Sequence, residues 1–153
     1  MKMHIGGQWV DRSEKIEVLN PFSGSIIDTI PRASQQDVET SLKTAEHGAE
    51  IMAKMTGYER YEIIHKVSEI MAERVEELAQ IITLEEGKTL AEATIEASRA
   101  IEIIALSGEE AKRLSGEVVP LDGGPGVKDK FGFTMRIPCG IVVGISPFNF
   151  PLH

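Results

Sequence analysis

A single cysteine, Cys139, stands among 153 residues, so no internal disulfide can form, and a reducing compartment accords with that scarcity. Long apolar runs are missing too. The longest, Ile141 to Ile145, has Gly144 inside it and falls far short of the roughly 20 residues that a membrane-spanning helix needs. The N-terminus shows no apolar signal-peptide core. Basic residues are outnumbered 16 to 24, and the resulting net charge of −8 repels phosphate backbones and anionic lipid surfaces. Nucleic acid and membranes are therefore not expected as partners, and a cytoplasmic protein is. Internal repeats and low-complexity tracts are absent. A hydrophobic content of 42% with 26% charged residues is that of an ordinary folded protein, long enough for one domain with a proper core.

Periodicity divides the chain into three parts. Ile5-Gly6-Gly7-Gln8-Trp9-Val10, Ile16 to Leu19 and Ser25 to Ile30 predict short strands, separated by turn chemistry that includes Asn20-Pro21 and Ser23-Gly24. From Ser34 the period becomes helical. Ser34 with Asp37, Thr56 with Glu59 and Thr89 with Glu92 resemble capping boxes and predict three helical stretches. The second carries the apolar stripe Ile63, Ile64, Val67, Ile70, Met71, Val75, Leu78, Ile81 and Ile82, and Gly87 suits its C-cap. The third has Leu90, Ala93, Ala97, Ile101, Ile104, Gly108, Ala111 and Leu114 on one face, where small residues permit close packing, and its charged residues are expected on a solvated surface. After Gly116, Val118 to Leu121 and the alternating Phe131, Phe133, Met135 and Ile137 predict a β-hairpin with a glycine-rich tip at 123–126. Ile141 to Ile145 then reads as a buried parallel strand.

Most candidate chemistry fails on inspection. Gly123-Gly124-Pro125-Gly126 is a turn and not a phosphate cradle, since no strand leads into a helix there. Glu86-Gly87-Lys88 likewise lacks the loop that would make Lys88 a phosphate ligand. Cys139 has no nearby histidine to activate it and is expected to be a small buried hydrophobe. His4, His47, His65 and His153 show no ligand spacing, so no metal is expected. Asn149 differs: its amide follows an apolar strand in a stiff turn flanked by Phe148, Phe150 and two prolines. Ligands of α/β proteins sit at such strand ends, and a fixed amide donor there suits a developing oxyanion. A turn-forming asparagine accounts for the same residue equally well.

The run Pro138-Cys139-Gly140-Ile141-Val142-Val143-Gly144-Ile145-Ser146-Pro147-Phe148-Asn149-Phe150-Pro151 resembles the aldehyde dehydrogenase signature P-x-G-x-x-x-x-I-x-P-[FW]-N-[FY]-P, which is highly specific. Other landmarks of that family fall in order, among them Ile5 to Val10, Asn20-Pro21 with Gly24, Leu84 to Lys88, and Glu109 to Arg113 before Gly116-Glu117. The resemblance covers essentially the whole chain. It implies an α/β fold: helices and the start of a parallel sheet from the N-terminal part of the aldehyde dehydrogenase fold, with a bridging β-hairpin. Residues 1–118 and 139–153 would belong to the cofactor-binding domain, and 119–138 to the hairpin that joins subunits.

The implied reaction is aldehyde oxidation to a carboxylic acid with NAD or NADP, through a cysteine thiohemiacetal resolved with help from a glutamate. Asn149 would donate to the oxyanion, while Ile145, Ser146, Pro147 and Phe148 would border the cofactor. The family's nucleophile, its glutamate, its cofactor-phosphate loop and its ribose-contacting lysine are expected C-terminal to His153, and Cys139 is not that nucleophile. Arg99, in Glu96-Ala97-Ser98-Arg99, matches an arginine that contacts an anionic substrate tail in the non-phosphorylating glyceraldehyde-3-phosphate dehydrogenases. Phe150 stands where those enzymes have tyrosine, which argues against a phosphate tail and leaves lactaldehyde-like substrates open. A surface pair between Arg99 and Glu96 or Glu102 is the competing reading. The expected partners are a small aldehyde and further copies of the chain, as a homodimer or homotetramer. An acylating dehydrogenase that passes its thioester to coenzyme A, and a noncatalytic oligomerisation or scaffold piece, are the alternatives.

Overall fold

The computed structural model describes residues 1–152; His153, the last residue of the expected cofactor-binding segment, lies outside the described residues. Strands β1 (Met3–Ile5) and β2 (Gln8–Val10) pair antiparallel across Gly6 and Gly7, both at positive φ, as the turn between them requires. Strands β3 (Lys15–Leu19) and β4 (Ile26–Pro31) form a second antiparallel pair with an irregularity at Val18/Leu19. Four helices follow: α1 (Gln35–Lys54), α2 (Gly57–Glu73), α3 (Val75–Glu86) and α4 (Leu90–Ala111).

The expected caps form. Ser34, Thr56 and Thr89 each accept from the backbone N–H three residues on, and the acids Asp37, Glu59 and Glu92 return the bond. Gly87 ends α3 at φ 79°, and a Cβ there would lie 2.9 Å from Pro21 Cγ, so both conformation and space favour glycine. These bonds satisfy some of the orphan donors and acceptors at helix ends from within the same few residues.

The long second stretch is two helices and not one. Arg74 leaves helical geometry at φ −118°, ψ 18°, although no glycine or proline marks the spot. A straight helix over 57–86 would run about 45 Å, well beyond the ~33 Å of α4. Breaking at Arg74 lets α2 and α3 both lie along α4. Their contact is close: at Gly108 of α4 a Cβ would meet Ile64 and Tyr61 of α2 at 3.4–3.5 Å, and at Gly57 one would fall 2.8 Å from the Ala111 carbonyl. Small residues form the core, with Ala79, Ile82, Ala93, Ala97 and Ala100 buried.

Buried charge appears twice. Asp37 is 3% exposed and accepts from the Arg12 guanidinium through two nitrogens and from the Ser34 hydroxyl and N–H. The bonds from Arg12, then those from Ser34, hold its carboxyl far below the usual carboxylate range. A depressed folded-state pKa means that this stabilisation is fully present above the unfolded pKa of ~3.9 and is lost as pH falls toward the folded value. Asp37→Asn is therefore expected to lower Tm at neutral pH, with the gap to the parent chain closing as the buffer is taken below about pH 4. A gap that stays constant across a series of thermal melts would refute the linkage.

Three sequence expectations give way in the C-terminal third. The hairpin shrinks to β5 (Val118–Val119) against β6 (Gly132–Phe133), leaving Met135 and Ile137 outside any ladder and exposed. Ile141 to Ile145 forms no strand and is exposed: among the described residues every strand pair is antiparallel, and a parallel strand needs a neighbour to supply its hydrogen bonds. Cys139 is exposed rather than buried, on a segment that forms no strand or helix. No helix of the described residues is long and apolar enough to cross a membrane.

Candidate functional site

The α3–α4 junction gathers the chemistry. Lys88 sits between the Gly87 cap and the Thr89 N-cap, with its side chain 21% exposed. Its ammonium donates to Glu96 and to the Asn149 backbone carbonyl, and lies 4.1 Å from the centroid of the Phe150 ring. Glu86 Oε2 is 3.0 Å away, an ion pair without hydrogen-bond alignment, so that both buried carboxylate oxygens of Glu86 lack a hydrogen bond among the described residues. Burial pulls the Lys88 ammonium down, but the contacts with Glu96 and then Glu86 outweigh it and raise its pKa. The group is a cation held by two acids.

Glu96 contradicts the expectation that the charged residues of α4 face solvent. It occupies the same face as Ala93, Ala97 and Ala100 and is 4% exposed. Burying a lone carboxylate costs several kcal/mol, and Lys88 offsets that cost. Glu96 Oε1 also accepts from the Leu152 N–H at 3.3 Å, and the Leu152 side chain packs on Ala79, Ile82 and Ala93. In the sequence Glu96 reads as a surface acid of α4, because helical spacing does not show what closes over it.

The signature turn is therefore tied down at both ends. Phe150 N–H donates to the Pro147 carbonyl at 3.3 Å, which places Phe148 and Asn149 at the turn's two central positions. The Asn149 side chain makes no hydrogen bond to any described residue. Asn20 shows what a turn-forming asparagine does: its Oδ1 accepts from the N–H groups of Phe22 and Ser23 at 2.9 and 3.1 Å. Asn149 has no such local role, and its two amide donors are open.

Arg99 and Phe150 come together. Both line a cavity of about 320 Å³ with Lys88, Glu92, Ile95 and Glu96. Arg99 forms no ion pair with Glu96 or Glu102, since Glu96 belongs to Lys88. Ile145, Ser146, Pro147 and Phe148 are exposed and do not line that cavity. Cys139 lines a different one, with Arg60, Leu114 and Ile137. Among the described residues no three His, Cys, Asp or Glu side chains are placed to hold a metal ion. Lys88 and Glu96 are the site residues that sequence reasoning missed.

Residues 9–153 match the model of the aldehyde dehydrogenase family. The 3-sulfolactaldehyde dehydrogenase of Priestia aryabhattai is 35% identical over 151 residues, covering 99% of this chain and 31% of the relative. The lactaldehyde dehydrogenase of Methanocaldococcus jannaschii is 36% identical over the same length and shares. The chain thus spans 31% of the length of the curated relatives it matches. Among solved structures, aldehyde dehydrogenase 21 from Physcomitrella patens, in complex with the reaction product succinate, superposes with a TM-score of 0.80 at 30% identity, over 86% of this chain and 28% of that one.

Proposed function

The chain belongs to the aldehyde dehydrogenase family, and from that premise we propose that it supplies the N-terminal portion of an NAD- or NADP-dependent enzyme oxidising a small aldehyde to its acid. The observation that carries the reading is Asn149: an amide with open donors, on a turn whose backbone is held by the partly buried Lys88–Glu96 ion pair. In the proposed chemistry a cysteine thiolate supplied outside this chain attacks the aldehyde, and the Asn149 N–H donors meet the oxygen as it becomes an oxyanion. Donors fixed before the reaction stabilise that charge without reorganising, which is why such groups dominate catalysis in dry sites.

The exposed Ile145, Pro147 and Phe148, with the Ser146 hydroxyl beside them, fit a surface that a flat ring and a polar group could cover. In the proposed enzyme they border the dinucleotide, which when bound accepts the hydride. Residues 1–118 and 139–153 are assigned to the cofactor domain and 119–138 to subunit contact, in a cytoplasmic homodimer or homotetramer. The direct test is to supply the whole enzyme with lactaldehyde or 3-sulfolactaldehyde and NAD or NADP, with and without coenzyme A. Aldehyde-dependent NAD(P)H with a free carboxylate supports the reading. A product formed only with coenzyme A makes the enzyme acylating, and no reduction at all removes the proposal.

Arg99 gives the substrate end of the site a charge. It faces the cavity with Phe150 and has no ion-pair partner among the described residues, and one relative is named for an aldehyde that bears a sulfonate. We assign it to an anionic substrate tail. Arg99→Ala is expected to raise KM for 3-sulfolactaldehyde by roughly tenfold or more and to leave KM for lactaldehyde within about twofold. Equal rises for the two would remove Arg99 from substrate recognition.

A further inference from the structure

Lys88 and Glu96 look at first like parts of the substrate cavity, since both line it. Their bonding says otherwise. Two of the three donors of the Lys88 ammonium go to Glu96 and the Asn149 carbonyl, and its charge is further paired with Glu86 at 3.0 Å and set over the Phe150 ring. The cation is committed to the protein's own groups. Glu96 is likewise committed, one oxygen to Lys88 and the other to the Leu152 N–H.

We propose that Lys88 and Glu96 are positioning residues that grip the 149–152 backbone from its two ends and so aim the side-chain amide of Asn149. Lys88 takes the Asn149 carbonyl and underlies the Phe150 ring, and Glu96 takes the Leu152 N–H. The grip is anchored in the core, because Glu96 is buried among the alanines of α4 and Leu152 packs on Ala79, Ile82 and Ala93. Without it the turn keeps its own Phe150 to Pro147 bond and the Leu152 contact, neither of which restrains the peptide at Asn149 from outside. Preorganised donors must be held within about half an ångström, and a misplacement of about 1 Å can cost ~10²-fold in rate. This role rests on the proposed oxyanion function of Asn149.

The experiment is a double-mutant cycle in the whole enzyme with Lys88→Met, which keeps length and loses charge, and Asn149→Ala. Lys88→Met is expected to lower kcat by about tenfold or more, with the dissociation constant for NAD(P) within about twofold of the parent. Combined with Asn149→Ala it should cost almost nothing further, because a mis-aimed group and an absent one are equivalent. Lys88→Arg should recover part of the loss. Independent, multiplying losses in the double variant would overturn the proposal, as would a KM rise confined to 3-sulfolactaldehyde, which would make Lys88 a substrate ligand. Should Lys88→Met fail to fold, Glu96→Gln, which keeps an acceptor for Leu152, replaces it in the cycle: non-additive losses support the grip, and multiplying losses overturn it. A parent enzyme without aldehyde-dependent turnover removes the functional reading and this role together. An active parent with an additive cycle removes this role alone.

Discussion

Asn149→Ala in the whole enzyme is expected to lower kcat by roughly 10²- to 10³-fold while the dissociation constant for NAD(P) and the Tm stay nearly unchanged. The expectation follows from what the residue does and does not touch. Its backbone carbonyl accepts from Lys88, which alanine preserves, whereas its side-chain amide bonds to no described residue. Truncation therefore removes no contact that holds the turn. What it removes is a donor that strengthens its bond only as charge gathers on the aldehyde oxygen, and such a loss appears in kcat more than in ground-state binding. Stopped-flow and steady-state rates with a titration of NAD(P) and a thermal melt would check all three quantities. A fall in Tm with a matching loss of cofactor affinity would make Asn149 a structural residue, and the oxyanion role would be abandoned.

The second large effect concerns residues 1–153 produced by themselves. They are expected to reduce no NAD(P) in the presence of aldehyde and to gain mass as concentration rises. The only thiol in the chain, Cys139, lines a different cavity from the one that Lys88, Arg99 and Phe150 share, so it is not placed to attack an aldehyde there. Association follows from exposed apolar surface. Phe131, Met135 and Ile137 are each more than 70% exposed, as are Val142, Val143, Ile145 and Phe148. A monomer rarely shows a continuous apolar patch beyond a few hundred Å², and at about 25 cal/mol per Å² covering such a strip is strongly favourable. The two-residue ladder of β5 and β6 also leaves unpaired backbone along an edge that another chain can extend. Light scattering across a concentration series, together with an NAD(P)H assay, decides the matter. A monomer at every concentration would show that these residues cover one another in solution, and turnover by residues 1–153 would show that the proposed missing thiol is not needed.

Parts of this molecule were legible one residue at a time. Ser34, Thr56 and Thr89 and their acids three positions on predict three helix starts, and all three form, because a capping box is closed within four residues. Gly87 is readable for the same reason: the left-handed conformation that ends α3 is a local demand that glycine meets. The turns at Gly6-Gly7 and Asn20 likewise rest on bonds between near neighbours. The signature around Asn149 carried the family resemblance, since a motif is a string and needs no coordinates.

Tertiary structure decided the rest. Nothing in the residues around Arg74 announces a break, which arises because two helices must share the length of α4. The expected strand at Ile141 to Ile145 is absent among the described residues because a strand exists only with a partner. Glu96 reads as one more surface acid until α3 and the 149–152 turn close over it. Lys88 meets the Asn149 carbonyl across 61 residues of chain, and Glu96 meets Leu152 across 56. The sequence by itself determined the caps, the turns, the helical faces and the identity of the candidate donor, all of which rest on bonds or spacings a few residues long. Only the packed chain decided what holds that donor in place, because a contact so distant in sequence must repay the entropy of closing a long loop, and the packing of α3 on α4 supplies that compensation.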